Sequence, residues 1–64
     1  MFNELDKVIA KKTGVIGTIV DKTTKNGKPL YIVESDDDNH PGRKFYDDWW
    51  PLFSCAEEDL KIAS

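Results

Sequence analysis

Two β-branched runs, Ile16-Gly17-Thr18-Ile19-Val20-Asp21 and Leu30-Tyr31-Ile32-Val33-Glu34, stand on either side of Asn26-Gly27. No other feature of the chain restricts its fold as much. Side chains branched at Cβ fit an extended, pleated backbone, and Asn-Gly tolerates the positive φ angles of a tight reversal. The arrangement predicts an antiparallel hairpin. Pro29 stands at the entrance of its second arm, where no ladder donor is required. Along that arm Tyr31 and Val33 share one face while Leu30 and Ile32 share the other, so the strand is expected to be partly covered on both sides.

The remaining segments extend the same pattern. Val8-Ile9-Ala10 reads as a short first strand, closed by a turn at Thr13-Gly14. Residues 35–48, SDDDNHPGRKFYDD, have no sustained apolar periodicity and contain five aspartates, which predicts a long exposed loop. Trp49 to Phe53 reads as a fourth strand, near an edge because Pro51 has no N–H to donate. Ser54-Cys55-Ala56-Glu57 has the spacing of a capping box, in which a hydroxyl and a carboxylate satisfy each other's backbone N–H. That predicts a single 3₁₀ turn across Ala56 to Asp59, since Leu60-Lys61-Ile62 alternates as a fifth strand would. The expected core is Val8, Ile19, Tyr31, Val33, Leu60 and Ile62, joined by one of the two tryptophans.

A chain of 64 residues is expected to form one domain spanning 1–64, and one this short buries only about 60% of the surface its unfolded form exposes. Apolar residues make up 39%, enough for one small core and too patterned for a disordered chain. The lone Cys55 can form no internal disulfide, which suggests a reducing compartment. The opening MFNELDKVIAKK lacks the apolar run of a signal peptide or membrane span, so the expected location is the cytoplasm. The net charge of −3 is divided unevenly. Residues 1–28 carry six lysines against three acids, and residues 29–64 carry nine acids against three basic residues. The scattered lysines disfavour phosphate-backbone binding, which needs a clustered basic face.

Five short strands, a tight hairpin, a long loop and one helical turn before the last strand describe an all-β fold of small-barrel type. The order Gly17-Thr18-Ile19-Val20-Asp21, Tyr31-Ile32-Val33-Glu34, an acidic stretch, Trp49-Trp50 and Glu58-Asp59-Leu60-Lys61-Ile62 resembles small SH3-like barrels of the Tudor, KOW and Mib/Herc2 kind. It is most similar to the short stand-alone versions encoded by bacteriophages and prophages. The resemblance covers roughly residues 5–63 and implies a five-stranded SH3-like barrel. It also implies binding of peptides, modified side chains or nucleic acid more than catalysis.

Adjacent residues on a strand face opposite ways, so Trp49 and Trp50 are expected to lie one inside and one outside. Five of the seven aromatics fall within residues 45–53, and an exposed patch is expected from the outward tryptophan with Phe45, Tyr46, Phe53 and Tyr31. Asp47 and Asp48, with Asp36 to Asp38, would rim it with carboxylates and favour a cationic ligand. A lysine- or arginine-bearing peptide fits best. Tudor-like barrels capture methylated lysine or arginine in an aromatic cage, and the residue types for one are present here.

Two other constellations carry less. Asp37-Asp38-Asn39-His40-Pro41-Gly42 with Asp48 partly matches a calcium loop, but Pro41 takes a ligand position and no helices flank it. His40 and Cys55 could make a nucleophile and base, but nothing supplies an oxyanion hole, and Cys55 reads as a small buried hydrophobe. No catalytic residue, metal or cofactor is therefore expected. The leading expectation is a non-enzymatic protein-interaction module, such as a phage-encoded inhibitor or adaptor acting on a host protein. Two alternatives are a nucleic-acid or nucleotide binder using Lys22, Lys25 and Lys28, and a structural homo-oligomer.

Overall fold

The computed structural model describes residues 2–46 and 49–63. Five antiparallel strands form one sheet: β1 (Lys7–Ala10), β2 (Ile16–Lys25), β3 (Lys28–Ser35), β4 (Leu52–Ala56) and β5 (Leu60–Ile62), in the order β4-β3-β2-β1-β5. The fold is all-β, as the sequence predicts, and its helical content is 3₁₀ turns at Pro41–Phe45 and Glu57–Asp59. The hairpin forms as expected: Asn26 and Gly27 take φ of 54° and 78°, the left-handed pair of a two-residue reversal. Its arms run longer than the β-branched runs alone, out to Lys25 and from Lys28, because the turn itself continues the ladder.

β2 changes register between Ile19 and Asp21. Val20 is the unpaired extra residue, and such an insertion bends a strand and raises its twist. Before it, β2 pairs with both β1 and β3; beyond it, with β3 alone. β4 and β5 are the two edges of the sheet, and no ladder joins them among the described residues. Even so, both ends of the sheet feed one core: Val8, Ala10 and Leu60 from the β1–β5 end pack in one cluster with Tyr31, Val33, Phe53 and Cys55 from the β3–β4 end. Each large apolar side chain fully buried there contributes about 1.5–3 kcal/mol.

The expected core is present apart from Ile62, which is 49% exposed. It pairs with Val8, but β5 is an edge strand, with no further strand beside it among the described residues to cover it. Phe2 and Val15 take part instead. Phe2 packs edge-on against Tyr31, with ring centroids 5.4 Å apart, and its N–H donates to the Tyr31 hydroxyl. That hydroxyl in turn donates to Glu57, which is how a fully buried tyrosine keeps its polar tip satisfied.

Three local expectations are corrected. The fourth strand begins at Leu52, and Trp49 to Pro51 form a turn before it. Pro51 uses its carbonyl, which accepts from the Ser35 N–H, and the strand starts where residues that can both donate and accept begin. Ser54 is mid-strand, not a cap; Ala56 occupies the cap position of the last 3₁₀ turn and makes no side-chain cap bond. The 35–48 segment is not wholly an exposed loop, since Ser35 closes β3 and is buried, and Gly42 is buried within the first 3₁₀ turn.

Candidate binding surface

The turn ahead of β4 decides how the two tryptophans divide. The Trp50–Pro51 peptide is cis, the Trp49 carbonyl accepts from the Leu52 N–H, and the Pro51 carbonyl ties the segment to the end of β3. Trp50 folds back as the middle of this anchor. Its indole N–H donates to the Asp38 carbonyl at 2.6 Å, and its ring lies close to parallel with Phe53 and Tyr46. Tyr46 completes the stack at 4.3 Å from Phe53, and its hydroxyl meets the Thr13 hydroxyl. Burial pushes the Tyr46 hydroxyl above its ordinary range, with the Thr13 contact opposing.

Trp49 turns the other way and is 79% exposed. With Leu30, Ile32, Leu52 and Ser54 it lines an open groove of about 400 Å³ on the outer face of β3 and β4. The pairing register explains the grouping. Leu52 lies opposite Glu34, and Ser54 opposite Ile32, so these four positions share the sheet face opposite to Val33 and Phe53. Across β3, Asp21 lies opposite Ile32 and Thr23 opposite Leu30. Exposed carboxylates at Glu34 and Asp21 therefore stand on the same face as the apolar strip.

The residues expected to form a patch are thus dispersed. Trp49 is the exposed anchor of the groove, and Phe45, 76% exposed, projects from the first 3₁₀ turn. Tyr46 and Trp50 are half-buried and packed on Phe53, while Phe53 and Tyr31 belong to the core. Asp47 and Asp48 lie outside the described residues. The three stacked rings lie within 23° of parallel and fill space against one another. A cage for a cation needs ring faces turned toward a common centre, and this stack has none. The sequence does not single out Leu30, Ile32 and Leu52 as surface residues. The alternation in β3 puts Leu30 and Ile32 on the face away from Tyr31, but their neighbour Leu52 is identified only once the start of β4 is known.

The other sequence candidates resolve into local structure. Ser35 Oγ bonds both the N–H and the carbonyl of Asp37, Asp37 accepts from the Asn39 N–H, and His40 Nδ1 accepts from the Gly42 N–H at 2.8 Å. Lys7 makes a two-pronged ion pair with Asp36. Among the described residues no three His, Cys, Asp or Glu side chains cluster in a way that could hold a metal ion. Cys55 is buried, and burial pushes its thiol up while the neighbouring Tyr46 hydroxyl opposes, so it stays protonated and weakly nucleophilic at neutral pH. Lys25 and Lys28 face each other at the hairpin tip. Among the described residues no helix is long and apolar enough to cross a membrane. Compared with known protein families, curated proteins and solved structures, the chain gives no significant match.

Proposed function

We propose that this chain is a non-enzymatic protein-interaction module whose outer β3–β4 face binds a segment carrying apolar and cationic side chains. The observation that carries the reading is Trp49: a 79% exposed indole at the mouth of an apolar groove, next to Leu52 and Ile32. Leaving that much indole in water has a cost that a partner recovers, and tryptophan is among the side chains most enriched in binding hot spots. The carboxylates of Glu34 and Asp21 on the same face favour a basic partner by complementary charge.

In this reading the sheet is a small SH3-like barrel. Support comes from the register shift in β2, which lets one long strand bend, and from the single core shared by both ends of the sheet. Such a module suits an adaptor or an inhibitor that works by occupying another protein.

The test is a selection of random peptides from a yeast-displayed library against the wild type, with winners re-measured on Trp49→Ala. The variant should keep its melting temperature, since Trp49 lies outside the core, and lose roughly 2 kcal/mol or more of affinity. Winning sequences should be enriched in Lys and Arg. Peptides indifferent to the substitution would refute the proposal. So would retention of nucleic acid that depends on Lys22, Lys25 and Lys28.

A further inference from the structure

We infer that the partner binds by adding a strand to β4: an extended segment of another protein, about five residues long, whose groove-facing side chains, every second residue, include both apolar and basic ones, pairs with Leu52–Ala56. The inference rests on the reading of the groove as a protein-binding surface and specifies how that surface is used.

The phase of the β3–β4 ladder supplies the first argument. The Ser35 N–H donates to the Pro51 carbonyl, which makes that pair the hydrogen-bonded kind. In an antiparallel pair the two kinds alternate, so Val33–Phe53 and Tyr31–Cys55 exchange bonds while Glu34–Leu52 and Ile32–Ser54 do not. The backbone groups of Leu52 and Ser54 therefore point away from β3. The Leu52 N–H is taken by the Trp49 carbonyl. The Ser54 N–H and carbonyl and the Leu52 carbonyl remain directed outward, and among the described residues no strand lies beyond β4 in the sheet.

The second argument is what the edge lacks. Exposed edges are commonly protected by lysines or other charges, by proline or by bulges. β4, LFSCA, contains no charged residue and no proline, and its pairing with β3 shows no irregularity. The opposite edge, β5, carries Lys61 at its centre. An unprotected edge beside an apolar groove offers both halves of strand-addition recognition: main-chain bonds for affinity and side-chain sites for selectivity. Alternate residues of an added strand fall on one face, so every second side chain would reach Leu52 and Trp49. Glu34 and Asp21 on that face select a basic segment over an acidic one and over a second copy of this chain, whose β4 carries no positive charge.

The experiment uses a blocked Lys-Val hexapeptide, Val-Thr-Lys-Thr-Val-Thr, whose Val and Lys side chains share one face, titrated into ¹⁵N-labelled full chain. A Glu-Val counterpart with Glu in place of the Lys, and two Lys-Val versions N-methylated at one or the other set of alternate amides, complete the set. Strand addition predicts that the Ser54 amide shifts and becomes protected from exchange. It also predicts that one N-methylated version binds about tenfold more weakly while the other is unaffected, because only one set of amides faces β4. Ser54→Pro should fold, since the Ser54 N–H is outside the β3 ladder, and should lose affinity to the same extent. If that variant unfolds, the N-methylated pair carries the test alone.

Equal binding of both N-methylated versions, with Trp49→Ala still weakening the complex, would sink strand addition and leave the groove reading standing. Binding indifferent to Trp49→Ala would sink both. No binding of the Lys-Val peptide, preference for the Glu-Val peptide, or a free chain that sediments as a dimer with Ser54 already protected would each overturn the proposal.

Discussion

Between Asp21 and Pro29 the chain is a regular hairpin with every residue exposed. The described part of the connection from Asp36 to Pro51 is irregular, yet it is held at point after point. The Asp36 N–H donates to the Ile16 carbonyl, Asp36 pairs with Lys7, Gly42 is buried, Tyr46 reaches Thr13, and Trp50 is stacked on Phe53. The hairpin draws its order from a repeating ladder that any compatible side chain can decorate. The connection draws its order from a few particular side chains, each doing something its neighbours cannot. Regular backbone and tertiary anchoring are thus separate properties, and in this molecule they fall in different places.

The difference can be broken most forcefully at Phe53, the ring on which both Tyr46 and Trp50 pack. Phe53→Ala should cost about 3–5 kcal/mol, close to the whole stability of a domain this size. A thermal melt within a few degrees of wild type would mean the stack does not anchor the connection. A finer comparison sets Gly42→Ala against Gly27→Ala. A Cβ at Gly42 would come within 2.7 Å of Val15 Cγ2 and 2.9 Å of Thr13 Cβ, whereas one at Gly27 meets nothing within 4 Å. Overpacking at Gly42 should cost about 1–3 kcal/mol. The left-handed backbone at Gly27 should cost about 1 kcal/mol through strain alone. Denaturant midpoints in the reverse order would show that the connection yields more easily than the hairpin tip.

The smallest expected effect is one of pH and bears on Cys55, which shares its surroundings with Tyr46. Burial raises the folded-state pKa of the thiol above its unfolded value. At alkaline pH the unfolded chain therefore loses this proton first, the folded chain binds more protons, and stability falls as pH rises. The contribution should be complete below the ordinary thiol range and be lost as pH rises from there through the raised folded value. Cys55→Ser should flatten that limb of the stability profile. An unchanged limb would place its origin at Tyr46, whose hydroxyl is raised in the same direction.

How legible each region is follows from the same distinction. The hairpin, the five strands in outline and the inward face at Val8, Ile19, Tyr31, Val33 and Leu60 are carried by local chemistry: β-branching, alternation and Asn-Gly. β4 starts at Leu52 and not at Trp49, which the sequence does not show because Trp-Trp-Pro-Leu-Phe reads as one apolar run and nothing local says that the Ser35 amide takes the Pro51 carbonyl. The acidic stretch reads as an exposed loop because its anchors, Gly42 under Val15 and Trp50 on the Asp38 carbonyl, are long-range and do not show in composition. Of the candidate surface, the sequence points to Phe45 and to the Trp49–Trp50 pair without telling which of the two faces out, and it does not point to Leu30, Ile32 and Leu52. Those three come together only once the β3–β4 register is known.

The parting of Trp49 and Trp50 gives the chain two optical reporters one residue apart. Trp49, open to water, should emit to the red, while Trp50, stacked on Phe53 and bonded through its indole N–H, should emit further to the blue. A Trp49→Phe chain would then glow only from the anchor, and its colour would follow folding and ignore a bound peptide. A Trp50→Phe chain would glow only from the groove, and its colour would follow occupancy even where the fold does not change.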